Sequence, residues 1–415
     1  MMGARAARRA PPYSFALLHV CTGWPYGIIG LVVGNGLTAA GVPVSDSANM
    51  IAAATFAFSL EFLWAPLVDA MWTRRRWYIM GALLMGASLA ALLTAPWRAG
   101  GMPMLTVLAF LSCSGSALAS AAIKGMMAYE VPQRLLGRAS AFYTAGGYFA
   151  KAVGAAATLW MLAHLSNRFL VALLSVSSAA VAGAAVILAS PTQPVPLRQL
   201  KPTLRATLSE VWGFLRTREG IAIAILCLMP FGAGIASGLT GTIAAEWHVT
   251  ADELGAWIAA SAVGTIAGAA LAGWLSVRVG AWRTYLVLGW ASIAAVLALA
   301  AAPRDPAAFL TLEWLYRGLT GGCYAAILAL VMTAIGKGAA STKAAVMWSL
   351  FNFAAVLPTM LEGRVHDTLG TTAMLLTDAI LGILGLALLL TATRVLRFRF
   401  DATPRATDAP RPDRA

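Results

Sequence analysis

Charge is scarce in this chain. Asp, Glu, Lys and Arg make up 11% of its 415 residues, against about 25% in a soluble globular protein. With 60% of residues hydrophobic, most of the surface has nothing polar to offer water, and a soluble fold is excluded. Histidine and cysteine are also few, four of each. Cys21, Cys113, Cys227 and Cys323 fall in four different apolar runs and form no CxxC pair. They read as small packing residues, with neither a disulfide framework nor a metal site behind them, and no cofactor is expected. There is no HExxH, no nucleophile elbow and no Walker loop, so the chain offers neither an enzyme's constellation nor a primary pump's nucleotide site. The string Gly232-Ala-Gly234-Ile-Ala-Ser-Gly238 has the wrong spacing for a dinucleotide loop and lies inside an apolar run.

Long apolar runs are what the chain does have. A helix rising 1.5 Å per residue needs about 20 apolar residues to cross the hydrocarbon core. Such runs follow one another over 14–40, 47–70, 77–95, 103–127, 139–163, 169–190, 220–245, 252–277, 283–301, 308–335, 343–363 and 371–393. This predicts an all-α integral membrane protein of twelve transmembrane helices. The Lys and Arg residues crowd every second loop: 24 lie in the segments that an inside N-terminus would place inside, counting Lys124, while Arg98, Arg168, Arg304 and Arg364 occupy the outer ones. Cytoplasmic loops retain Lys and Arg, so both termini are expected in the cytoplasm. The first apolar run is long enough to span and reads as an uncleaved helix. The net charge of +13 is distributed along loops on one side of a bilayer and makes no basic, aromatic-interleaved soluble face for nucleic acid.

The longest polar stretch divides the helices six and six. The expected organisation is an N-terminal tail at 1–13, a six-helix bundle at 14–190, a linker at 191–219, a second bundle at 220–393 and a basic tail at 394–415. Within the linker, Leu204, Leu208, Val211, Trp212 and Leu215 recur at helical spacing, which predicts a short amphipathic helix on the inner membrane surface. A weak repeat supports duplication: Ala65-Pro-Leu67-Val-Asp69 before Arg74-Arg75-Arg76 matches Gly273-Trp-Leu275-Ser-Val277 before Arg278 and Arg283, 208 residues later. Gly23 with Gly27, Gly30 with Gly34, and Gly264 with Gly268 have the four-residue spacing that lets helix backbones approach in lipid.

Paired bundles of this kind are the plan of the major facilitator superfamily, and several segments narrow the resemblance. Phe62-Leu63-Trp64-Ala65-Pro66-Leu67-Val68-Asp69 with the Arg74 to Arg76 run resembles the helix 2 signature of the muropeptide permease (AmpG-like) family. Gly147-Tyr148, Gly154 to Trp160, the Glu313 to Gly322 string and Ser341-Thr-Lys343-Ala-Ala are similar to its helices 5, 10 and 11. Glu61 stands where that family places Lys, and helix 7 lacks its early charges. With twelve spans, the chain resembles the siderophore permease branch, importers of pyochelin and rhizobactin-type chelators. The resemblance implies two pseudo-symmetric bundles and import of a siderophore or its ferric complex, or alternatively of a muropeptide, small peptide or amphiphile.

Charges inside the membrane cost about 2.5–3.5 kcal/mol on insertion scales and usually face a partner or a wet cavity. Glu61 lies roughly 12 Å from the inner end of helix 2 at 1.5 Å per residue, and Lys151 lies near the middle of helix 5. They are expected to pair, either for structure or for coupling. Glu313 and Arg317 stand at i and i+4 and share one helix face. Held by Glu313, the Arg317 fork suits a carboxylate or phenolate, and a purely structural pair is the alternative. Lys151, Tyr316, Tyr324, Trp348, Asn35 and Asn352 complete the expected substrate site. Glu61, Glu313 and His19 are the candidates for proton coupling. Asp378 is assigned a structural role, and Glu246, His248, His164 and His366 read as solvated outer residues. Asp69, Arg74, Arg75, Arg76, Glu130 and Arg138 form the expected cytoplasmic latch, with attraction to anionic lipid as the other use of these arginines. The partners expected are lipid and one small, partly aromatic, anionic molecule, carried by a monomer.

Overall fold

The computed structural model describes residues 11–396 except 71, 132, 189–208, 230–238 and 336–339. The described secondary structure is helical throughout. Among the described residues, nine stretches are long and apolar enough to cross a membrane. One of them, Thr342–Val395, is two helices joined at Gly370, whose φ of 82° no helical residue adopts. With Gln133–His164, and with Arg218–Cys227 and Thr240–Ile243 taken together, the described helices account for the twelve expected spans.

In chain order they are α1 (Ser14–Ala39), α2 (Val44–Ser59 continued by Glu61–Ala70), α3 (Arg74–Thr94), α4 (Met102–Glu130), α5 (Gln133–His164) and α6 (Arg168–Gly183). There follow α7 (Arg218–Cys227, then Thr240–Ile243), α8 (Ala251–Val279), α9 (Ala281–Ala301), α10 (Pro306–Ile335), α11 (340–369) and α12 (371–395). In the linker, residues 209–215 are helical; Leu204 and Leu208 lie outside the described residues. We call outer the end that carries the junctions 40–43, 246–250 and 364–370.

Helix ends follow local chemistry. Thr73 and Asn167 cap α3 and α6 with their side-chain oxygens, and Thr250 with Glu253 forms a capping box on α8. Two helices depart from uniform geometry beside the cavity described below. In α1, Pro25 withholds an amide donor, and a π-helical turn follows at Ile28–Val33. In α2 the expected continuous run 47–70 breaks at Leu60 (φ −87°, ψ 2°), which restarts the helix at Glu61.

Packing is arranged by small residues. A Cβ on Gly27 would lie 2.0 Å from the Lys151 carbonyl oxygen, so α1 and α5 touch backbone to backbone. A Cβ on Gly268 would lie 1.8 Å from the Gly318 carbonyl oxygen, and α8 and α10 touch in the same way. In lipid, where apolar side chains gain little by leaving their solvent, such approach is what holds helices together. Across the molecule, α1 meets α7, α2 meets α11 and α5 meets α8.

Several described contacts cross between these helices at the outer end, while deeper in the molecule the Phe62 N–H donates to Ser349 Oγ at 3.3 Å between α2 and α11. Asn35 Nδ2 donates to the Gly241 carbonyl oxygen at 3.2 Å. The Asp367 carboxylate accepts from the backbone N–H groups of Val44 and Ser45, at 3.0 and 2.9 Å. Gly363 presses on Ala48, where an added Cβ would come within 2.4 Å. The outer ends are thus closed over the centre of the molecule.

Candidate functional site

A cavity of about 340 Å³ lies at the centre, lined from α1, α2, α4, α5, α8, α10 and α11 and by Met229. The polar residues at and behind its wall form two groups.

The first group belongs to α1, α2, α4 and α5. Glu61, 3% exposed, takes Lys124 Nζ at 2.5 Å. Close by, Ser120 Oγ and the Tyr143 hydroxyl share a hydrogen bond at 2.7 Å. The His19 ring stacks on Tyr143 with centroids 3.7 Å apart, and Nδ1 donates to the Tyr143 carbonyl oxygen at 2.6 Å. Gly147 makes this possible, since a Cβ there would lie 2.4 Å from the imidazole. Lys151 also lines the cavity, with Nζ 4.4 Å from the centroid of the Tyr26 ring.

The second group belongs to α7 and α10. Arg317 Nε donates to Glu313 Oε1 at 3.0 Å and Nη2 donates to Thr240 Oγ1 at 2.9 Å. Thr240 Oγ1 in turn donates to Glu313 Oε1 at 2.5 Å, closing a ring of three side chains. Glu313 is fully buried behind Arg317, and it is Arg317 that lines the cavity. Trp257 stands over the guanidinium with its ring 5.1 Å away. The same cavity also carries an aromatic wall. Tyr324 and Trp348 stack nearly parallel at 5.1 Å, and Phe351 and Tyr148 meet Tyr324 edge-on at 5.6 and 6.0 Å. A flat ligand can lie against such a wall while its anionic end meets a cation.

Of the residues singled out from the sequence, His19, Glu61, Lys151, Arg317, Tyr324, Trp348 and Asn352 line this one cavity. Others do not. Tyr316 is buried, and its hydroxyl donates to Asp378 Oδ2 on α12 at 2.8 Å. Asn35 is spent on the outer contact with Gly241. Glu61 pairs with Lys124 and not with Lys151 as expected, because the break at Leu60 and the length of α4 bring the α2 and α4 charges together. Lys124, counted among the inner loop residues, therefore belongs to the cavity. The signal was available: it lies within the apolar run 103–127. Thr240 had no signal at all, being one hydroxyl in an apolar segment.

Glu246 and His366, expected to be solvated, bond to each other at 2.8 Å across the outer end, and Thr371 also donates to Glu246. Of the expected latch, Arg74 is buried at the start of α3. The side chains of Asp69, Glu130 and Arg138 lie outside the described residues. No group of three or more potential metal ligands occurs among the described residues.

This arrangement can be compared with known proteins. The sequence model of the Major Facilitator Superfamily matches residues 15–243. The chain belongs to the major facilitator superfamily. Its helices superpose on a POT family transporter solved with 5-aminolevulinic acid (TM-score 0.72, 11% identity, 92% of this chain and 96% of that one). They superpose likewise on the nucleoside transporter NupG (0.67, 12%, 94% and 98%) and on a D-xylose-proton symporter (0.70, 14%, 91% and 96%). At these identities the likeness is one of fold. No curated protein matches the sequence. As a major facilitator protein the chain is a multi-pass membrane transporter of the secondary type and not an enzyme.

Proposed function

We propose that this major facilitator protein imports a small, partly aromatic, anionic molecule of the siderophore class across a bacterial inner membrane by alternating access. The observation that carries this reading is that one central cavity is lined both by Arg317 and by the Tyr324, Trp348 and Phe351 wall. A catecholate, phenolate or carboxylate on an aromatic ring matches both features. Lys151, which lines the same cavity from α5, supplies a second cation for an extended or doubly charged ligand. The basic inner loops support cytoplasmic termini, and the two six-helix bundles at 14–190 and 220–393 are the units that rock about the site. The expected monomer and the latch of Asp69, Arg74, Arg75, Arg76, Glu130 and Arg138 remain part of this proposal. So does proton coupling through Glu61 or Glu313, both of which can exchange a cationic partner for a proton.

Uptake of labelled ferric siderophores and, in parallel, of anhydromuropeptide into proteoliposomes tests it. Saturable siderophore uptake lost in Arg317→Ala supports the reading. Muropeptide uptake alone overturns it in favour of the muropeptide permease activity. Uptake that survives collapse of the proton gradient removes the coupling.

A further inference from the structure

Three consecutive residues in the outer piece of α7 reach two different partners. Thr240 is fully buried and holds both members of the Glu313 and Arg317 pair on α10. Gly241, the next residue, accepts the hydrogen bond of Asn35 from α1, and a Cβ on Gly241 would lie 2.4 Å from the Leu31 carbonyl oxygen. Thr242 reaches α1 as well, its Cγ2 3.2 Å from where a Cβ on Gly34 would stand. One short helical piece therefore touches the cavity arginine through its first residue and forms the outer seal through the next two.

We propose that Thr240 is a positioning residue that links occupancy of Arg317 to the outer seal between α7 and α1. This rests on the reading of Arg317 as the anion site. A hydroxyl has one proton to donate and lone pairs to accept with, and Thr240 uses both kinds of capacity here. Its proton goes to Glu313, and it accepts from Arg317. A carboxylate or phenolate arriving in the cavity competes for the Nη2 donor that Thr240 now holds. Once that donor turns to the ligand, α7 loses a tie to α10, and the seal that Gly241 makes with α1 rests on a less constrained segment. Ligand affinity that differs between the sealed and unsealed arrangements is what shifts their populations.

The test compares Thr240→Val, which keeps the shape and removes both hydrogen bonds, with Thr240→Ser, which keeps both. A reporter cysteine replaces Val44, which is 4% exposed beside Asp367 at the outer end. The four native cysteines are replaced by alanine. Labelling by a membrane-impermeant maleimide is followed in proteoliposomes, without ligand and with salicylate, a probe carrying a ring, a carboxylate and a phenol.

Without ligand, Thr240→Val is expected to raise the labelling rate at least threefold while Thr240→Ser stays near the Thr240 protein. With salicylate, the Thr240 protein and the Thr240→Ser variant are expected to change their labelling rate and Thr240→Val to stay at its own ligand-free rate. Equal labelling of the Thr240→Val and Thr240→Ser variants without ligand overturns the link. Because this arm contains no ligand, it decides the link whatever binds the cavity. The anion reading of Arg317 is judged separately, by salicylate quenching of tryptophan fluorescence in the Thr240 protein and its loss in Arg317→Lys. Monodisperse elution of both Thr240 variants shows that folding is not what is being read.

Discussion

The two charge pairs beside the cavity are built in opposite ways. Glu313 and Arg317 are one helical turn apart on α10, so the backbone alone sets their meeting, and Thr240 only completes the ring. Glu61 and Lys124 are 63 residues apart, on α2 and α4, and meet only when the bundle has packed. The first pair is a local unit that can travel as a rigid piece. The second is a bond between helices, and whatever displaces it also loosens α2 from α4. The exposures agree with this division. The Glu313 side chain is wholly buried with Arg317 9% exposed, while the Lys124 side chain, 27% exposed, can turn to the cavity.

Removing one partner of the interhelical pair should have the largest effect. Lys124→Met leaves the Glu61 carboxylate buried without its cation, which costs about 3–5 kcal/mol when a buried pair is broken on one side. Adding Glu61→Gln removes the stranded charge, so the double variant should recover most of the loss. Thermal unfolding in detergent checks this, since a large drop in Tm for the single variant and a small one for the double is the expected pattern. If the double variant melts no higher than the single, the pair is not what joins α2 to α4.

The local pair predicts a different result. Arg317→Lys keeps a cation next to Glu313 but loses the planar fork, and the two donor directions cannot both be served. Stability should change by less than for Lys124→Met, because the carboxylate keeps a countercharge. The Michaelis constant for uptake should rise about tenfold, which corresponds to roughly 1.4 kcal/mol of binding. A variant with a normal Michaelis constant and a lowered Tm would make Arg317 a structural cation and leave the anion to Lys151.

These two pairs also mark how far the sequence could be read. Apolar length and the alternation of basic loops gave the helices and the membrane, because every span must satisfy its backbone internally and announces itself by composition. The i, i+4 spacing of Glu313 and Arg317 gave their contact for the same reason of locality. Glu61 offered no such rule. Its depth in the membrane pointed to Lys151, but the kink at Leu60 and the inward reach of Lys124 are consequences of packing between distant segments. Tyr316 failed as a cavity residue because helical spacing gives a direction only relative to its own helix, and its hydroxyl is aimed at Asp378 on α12. Glu246, His248 and His164 are exposed as read, but the bond between Glu246 and His366 was not legible, because a loop position carries no information about what the neighbouring helix end presents to it.

That outer cluster gives the smallest and most distinctive prediction, since it joins helices as the Glu61 and Lys124 pair does but has its titrating groups, Glu246, His366 and Asp367, at outer helix ends beyond the apolar runs 220–245, 343–363 and 371–393. Burial works against charging His366, yet its hydrogen bonds to Glu246 and Asp367 outweigh it and raise the imidazole pKa above 6.5. For Glu246 burial acts to raise the pKa, and the bonds from His366 and Thr371 bring it below 4.5. Asp367 is likewise pulled below 3.8, against the effect of burial, by its bonds to Ser45, His366 and Val44. The signs then fix the window. The contribution of His366 is complete below 6.5 and is lost as pH rises through its raised value; those of Glu246 and Asp367 are complete above 4.5 and are lost as pH falls through their lowered values. The outer contact is therefore tightest between about pH 4.5 and 6.5 and loosens on the alkaline side, where the imidazolium is lost. Maleimide labelling of Val44→Cys should rise about two- to threefold from about pH 6 to about pH 8.5, after correction for the reagent's own pH dependence measured on the unfolded protein, a change of about 0.4–0.65 kcal/mol in the opening equilibrium. His366→Asn should remove that rise while leaving the labelling at the alkaline end near the parent value. A slope that persists in His366→Asn would remove His366 as the source of the pH response, and the distinction between outer clamp and inner pair would have to be redrawn.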